Sequence, residues 1–138
     1  MSGVLLDTHA LVWLVNGDTQ LSRRAQRRIM DASPVWVSAI TPWEIGMLVA
    51  KGRLTLAKDA LEWIEEVLAL PGVRLAALEP MIAVASTRLP GELHGDPADR
   101  LIVATARHLG VALVTADEKL LAYGAAGHLA VIRATSAI

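Results

Sequence analysis

Five short apolar runs, at residues 3–6, 35–38, 73–78, 111–115 and 129–132, are separated from one another by helix-like sequence, and this alternation constrains the chain more than any other feature. Runs this short that stay apolar on consecutive residues, rather than on alternate ones, read as strands buried on both faces. The intervening segments carry helical spacing and helix punctuation. Asn16-Gly17 closes a helix over 9–15, and a second covers 22–31. Thr41-Pro42-Trp43-Glu44 opens one that runs to about residue 51. Asp59 caps a helix over 60–70, which Pro71-Gly72 ends. Further helices are expected over 80–89, 97–109 and 117–123. Strands that alternate with helices build a parallel sheet with helices on both faces, so the expected class is α/β. At 138 residues, with no internal repeat or linker composition, the expected organisation is one domain over 1–138.

Composition narrows the setting. The chain is 54% hydrophobic, yet no apolar run approaches the roughly 18 residues of a membrane span. Asp7 and His9 interrupt the first apolar stretch before a signal peptide can form, so a cytoplasmic protein is expected. The absence of cysteine excludes disulfides, thiol chemistry and thiolate zinc sites. A net charge of −1 gives no global attraction to nucleic acid, so any such binding must be local.

The acids supply the chemistry. Open α/β sheets bind ligands at the carboxyl ends of their strands. Asp7, Glu44 and Asp117 each follow an expected strand by one to six residues, and Asp99 lies in the first turn of the 97–109 helix. Asp96 suits the cap of that helix and Pro97 its first position, since proline has no N–H to leave unpaired there. Carboxylates gathered from distant positions repel one another, and a cation relieves the repulsion. All-oxygen ligands suit Mg²⁺ or Mn²⁺, ions that grip a substrate phosphate and assist hydrolysis of a phosphodiester. A purely structural reading competes. Thr41 to Glu44 has the form of a capping box, Thr115 to Glu118 can be read the same way, and Asp7 is a plausible N-cap. Asp59 is such a cap with no strand before it. Placement after strands is what separates the other acids from simple caps.

Leu5-Leu6-Asp7-Thr8-His9-Ala10, Ser38-Ala39-Ile40-Thr41-Pro42-Trp43-Glu44-Ile45, Asp96-Pro97-Ala98-Asp99-Arg100-Leu101-Ile102 and Val114-Thr115-Ala116-Asp117 resemble the four acidic motifs of PIN domains, in family order and at family-like spacing. They look most like bacterial VapC-type toxins of type II toxin–antitoxin pairs. The resemblance implies an endoribonuclease that uses Mg²⁺ or Mn²⁺, forms a homodimer and is neutralised by a small VapB-like antitoxin. It maps the family's acids onto Asp7, Glu44, Asp99 and Asp117, with Thr115 as a hydroxyl neighbour, and assigns the metal role to Asp99 rather than Asp96. In the expected chemistry, Asp7, Asp99 and Glu44 hold the first ion while Asp117 completes the cluster or hydrogen-bonds to it. Water attacks phosphorus in line, and the ribose 2′-OH takes no part.

Thr8, His9, Arg100 and Thr115 are the candidates for contact with RNA, and Arg100 could equally pair with a nearby carboxylate. His9, His94, His108 and His128 have no zinc-ligand spacing. Arg23, Arg24, Arg27 and Arg28 form two i,i+4 pairs, a like-charged patch that is either a solvated face or a guide for RNA. Trp13, Trp36, Trp43 and Trp63 are expected on apolar faces. Two other functions fit less well. A receiver-like phosphoacceptor needs paired acids after the first strand, where Asp7-Thr8-His9 supplies one. A non-catalytic PIN-like module that only binds RNA or protein would have lost acids that here all stand.

Overall fold

The computed structural model describes residues 2–136. Five strands form one parallel sheet in the order β3-β2-β1-β4-β5: β1 (Val4–Leu6), β2 (Val35–Ser38), β3 (Val73–Ala76), β4 (Ala112–Thr115) and β5 (Val131–Arg133). The centre is β1, with Leu6 opposite Val37 on one side and Val114 on the other. Its three residues are all buried, as an unalternating apolar run requires. Side chains still point to opposite faces in turn. Leu5 and Leu113 join one apolar cluster, while Val4, Leu6 and Val114 join the other.

Helices α1 (Thr8–Asn16), α2 (Arg23–Met30), α3 (Ile40–Ala50) and α4 (Ala60–Leu68) cover the Leu6 face through Leu11, Ala25, Ile29, Ile45, Trp63, Ile64 and Val67. Helices α6 (Pro97–Leu109) and α7 (Glu118–Ala125) cover the Leu5 face through Ile102, Val103, Ala106, Leu120 and Tyr123. The short α5 (Pro80–Ala85) lies between β3 and α6 in the chain. From β1 the chain builds outward to β2 and β3, then returns to lay β4 on the opposite side of β1. The sheet therefore switches direction between β1 and β4, and at such a point the loops after the two strands splay apart and leave a crevice.

Several boundaries differ from the sequence reading for local reasons. The helix expected over 80–89 stops at Ala85, because the Ser86 and Thr87 hydroxyls turn back to the carbonyls of Ala83 and Val84 at 2.6 and 2.7 Å. The last strand begins at Val131 rather than 129, since Leu129 is spent on the core beside Tyr123. Trp63 is core, but Trp43 is 57% exposed. No helix among the described residues is long and apolar enough to cross a membrane.

Candidate active site

The crevice is built from the strand ends outward. The backbone N–H of Asp7 donates to the carbonyl of Val114 at 3.1 Å, which carries the β1–β4 pairing one residue beyond β1. Asp7 is also the N-cap of α1, its Oδ1 accepting from the Ala10 N–H at 2.9 Å. Its other oxygen, Oδ2, accepts from the Thr115 hydroxyl at 2.5 Å. Thr115 in turn accepts the Asp117 N–H at 3.1 Å, and Asp117 caps α7 by accepting from the N–H groups of Lys119 and Leu120. One hydrogen-bonded chain thus spans the switch point from Asp7 to Asp117. Thr115 is fully buried, so the expectation that it contacts RNA is corrected: its hydroxyl is committed to holding Asp7.

Glu44 arrives from α3. The capping-box reading fails there, because the helix starts two residues earlier, at Ile40, and its first turn is served by Ser38 Oγ, which accepts from the Ile40 N–H at 3.2 Å. Thr41 then lies inside the helix, fully buried, with its hydroxyl 3.2 Å from that of Thr8. The Thr8 hydroxyl donates to Glu44 Oε1 at 2.6 Å. Thr8 is buried as well, and its hydroxyl orients Glu44.

At the start of α6 the two acids divide their work. Asp96 is the N-cap, its Oδ1 accepting from the Asp99 N–H at 3.0 Å, which leaves the Asp99 carboxylate free of capping. Asp99 Oδ2 lies 3.4 Å from Nε2 of His94. The Asp96 N–H donates to Nδ1 of the same ring at 3.4 Å, so the imidazole lies between the two acids at the start of α6. Nε2 is buried and has no hydrogen-bond partner among the described residues. The sequence marks His94 only as one of four histidines without zinc-ligand spacing. Its contact with Asp99 depends on the path of the loop before α6, and Arg100 sets that path. Arg100 was expected to meet a carboxylate or RNA phosphate. It instead donates from Nε to the Ser86 carbonyl at 2.8 Å and from a terminal nitrogen to the carbonyls of Leu93 and His94 at 3.0 and 3.4 Å. A guanidinium has enough donors to pin a loop through its backbone, and this one is used that way.

Asp7, Glu44, Asp99 and Asp117 line one open cleft of about 390 Å³ together with Thr8, His9, Trp13, Asp96, Ile102 and Ala116. No lysine or arginine is among those residues. The electrostatic cost is visible in the carboxyl groups. Burial raises the pKa of Asp7, against the hydrogen bonds from Thr115 and Ala10 that favour its charged form. Burial likewise raises Glu44, with Asp96 and Asp7 adding repulsion. Asp99 is pushed to about 7, first by burial and then by the charges of Asp96, Asp117, Glu44 and Asp7. His9 is exposed at the lip of the cleft, its ring centroid 6.1 Å from that of Trp13.

The chain is similar to known proteins in both sequence and shape. The PIN-domain family model matches residues 4–126. Ribonuclease VapC22 of Mycobacterium tuberculosis is 38% identical over 120 residues, covering 87% of this chain and 91% of that protein. A toxin–antitoxin complex from Klebsiella pneumoniae contains a chain that superposes with a TM-score of 0.66 at 24% identity, covering 97% of this chain and 99% of that one. VapBC2 from Rickettsia felis, bound to a fragment of its promoter DNA, gives a TM-score of 0.67 at 15% identity, covering 94% and 97%. By sequence and by fold, this chain belongs to the PIN-domain family.

Proposed function

We propose that this chain is a divalent-cation-dependent endoribonuclease, the toxin of a toxin–antitoxin pair. The observation that carries the reading is the convergence of Asp7, Glu44, Asp99 and Asp117 on one cleft with no cationic side chain among its lining residues. The 38% identity to a protein named as a ribonuclease supports the same activity. Asp7, Glu44, Asp99 and Asp117 are proposed as the catalytic and metal-holding set, in one domain spanning residues 1–138.

The donors are all hard oxygens, which fits Mg²⁺ or Mn²⁺. Among the described residues no three acids or histidines already converge at ligating distance. When bound, such an ion supplies charge neutralisation at the scissile phosphate and acidifies a water. The protein's own groups prepare the place. Thr115 fixes one oxygen of Asp7, Thr8 fixes one of Glu44, and the Arg100 clamp holds the loop that sets His94 against Asp99. Asp99, pushed to about 7, would have to be ionised to hold a cation, so affinity for the ion would rise with pH.

A partner for the toxin follows from its solved neighbours, described as VapBC or toxin–antitoxin complexes. A VapB-like antitoxin and a second copy of this chain are proposed to cover apolar side chains that stand exposed between residues 43 and 84, namely Trp43, Leu61, Leu70, Leu75, Leu78, Met81 and Val84. The setting proposed for the pair is the cytoplasm.

The mechanism is tested by the ends of the cut RNA. Hydrolysis by water in line leaves a 5′-phosphate and a 3′-hydroxyl, which end-labelling with and without prior phosphatase treatment reveals. Ends bearing a 2′,3′-cyclic phosphate would place the 2′-OH as nucleophile and overturn the four-acid mechanism in favour of histidine chemistry.

A further inference from the structure

An acid-lined cleft repels the polyanion it is meant to cut, so the grip on RNA has to come from elsewhere on the surface. A groove of about 820 Å³ runs between the end of α1, the start of α2 and the segment 131–136. Arg23, Arg24 and Arg28 line it from α2, all exposed and none in an ion pair among the described residues. Its one lining carboxylate, Asp18, is engaged locally, accepting from the backbone N–H of Gln20 at 2.8 Å and from its side-chain amide at 3.4 Å. The remaining cation there, Arg133, is paired with Glu118 at 2.8 Å.

Two further observations give these arginines a direction. Arg23 and Arg24 sit in the first turn of α2, which contains no acid, so their charges oppose the positive end of the helix dipole. Trp13, half-buried, is a wall of both the groove and the acidic cleft, so the two share a boundary. An indole beside a line of guanidiniums is the combination that holds single-stranded nucleic acid, by base stacking and phosphate pairing.

We propose that this groove is the track along which single-stranded RNA reaches the acidic cleft, with Arg23, Arg24 and Arg28 on its phosphates and Trp13 beneath a base next to the scissile position. The track rests on the ribonuclease reading above and supplies what the cleft lacks, attraction without sequence-specific contacts. It predicts that cation–phosphate contacts contribute to KM and leave the chemical step alone.

The test uses the full chain as R24E/R28E, with R24Q/R28Q as the milder pair should the reversed charges disturb folding. Binding of a fluorescein-labelled single-stranded RNA is followed by anisotropy in an Asp99→Asn background with Mg²⁺, across a salt series. Each lost phosphate contact on a single strand flattens the plot of log affinity against log salt by about 0.7, so two should flatten it by about 1.4. In the active protein, KM for RNA should rise about tenfold or more with kcat unchanged, and neutralisation by the cognate antitoxin should persist. Folded variants with the parental salt slope and KM would overturn the track while leaving the nuclease reading intact. Loss of neutralisation with KM unchanged would assign the groove to the antitoxin instead. Failure of the parent protein itself to cut RNA would sink the nuclease reading and the track with it.

Discussion

Replacing Asp99 with asparagine should stabilise the cation-free protein at alkaline pH while destroying its activity. In the folded chain the Asp99 carboxyl is pushed from 3.8 to about 7. Below the unfolded value both states hold the proton and nothing is lost. Between about 4 and 7 the unfolded carboxyl is ionised while the folded one resists ionisation, so stability falls as pH rises, and above 7 the penalty is complete. A rise of about three units corresponds to roughly 4 kcal/mol, which screening of this half-buried group reduces to about 2 kcal/mol. One effect opposes the gain: an ionised acid in the first turn of α6 is favoured by the helix dipole, by about 0.3–1 kcal/mol. Capping is untouched, because Asp96 performs it. The net expectation is about 1–2 kcal/mol in favour of the variant at pH 8, or about 3–7 °C in Tm for a domain of this size. Melting followed by circular dichroism in EDTA at steps from pH 4.5 to 8.5 reads it directly. The gap should close toward the acid end. A variant that melts below the parent at pH 8, or a gap that does not change with pH, would refute the claim that these carboxylates crowd one another.

Three other perturbations separate scaffold from site. Adding Mg²⁺ or Mn²⁺ at pH 8 should raise the parent's Tm by mass action and that of Asp99→Asn much less, as seen in the same melts. Arg100→Ala strips the donor from three carbonyls of the segment 86–94 and should cost about 2 kcal/mol in urea unfolding, with cleavage falling as His94 and Asp99 lose their register. Asp59→Ala removes the cap bonds to Leu61 and Glu62 and should cost about 1 kcal/mol, with the cleavage rate unchanged, because α4 reaches no part of the cleft.

What the sequence made legible follows from how local each signal is. The central strands were readable because β1 and β4 are buried on both faces, which forces unbroken apolar runs. The division of labour between Asp96 and Asp99 was readable because cap and first-turn positions are fixed by spacing from Pro97. The four acids after strand ends or at a helix start also pointed to a common edge, since the edge itself is a product of parallel topology. Long-range partners left no such trace. Thr41 and Glu44 fit a capping box by pattern, yet their hydroxyl and carboxylate both answer to Thr8, 33 and 36 residues away. Thr8 and Thr115 looked like exposed polar neighbours of the site because a sequence does not show that their hydroxyls are enclosed. Arg100 was read as seeking an acid, whereas its partners are backbone carbonyls, which carry no residue-type signature. Trp43 lies on the outer side of a helix that is mostly apolar around its circumference, and so its exposure had no marker.

The central claim is that the four-acid cleft cuts RNA with a divalent cation, and cleavage of one labelled RNA by the parent and Asp99→Asn, each with EDTA, Mg²⁺ or Mn²⁺, tests it most directly. The account predicts cleavage by the parent with either ion, none in EDTA, and a loss of at least a hundredfold in the variant, about 2.7 kcal/mol of transition-state stabilisation. Cleavage that persists in EDTA, or that survives the loss of the Asp99 carboxylate, would contradict it.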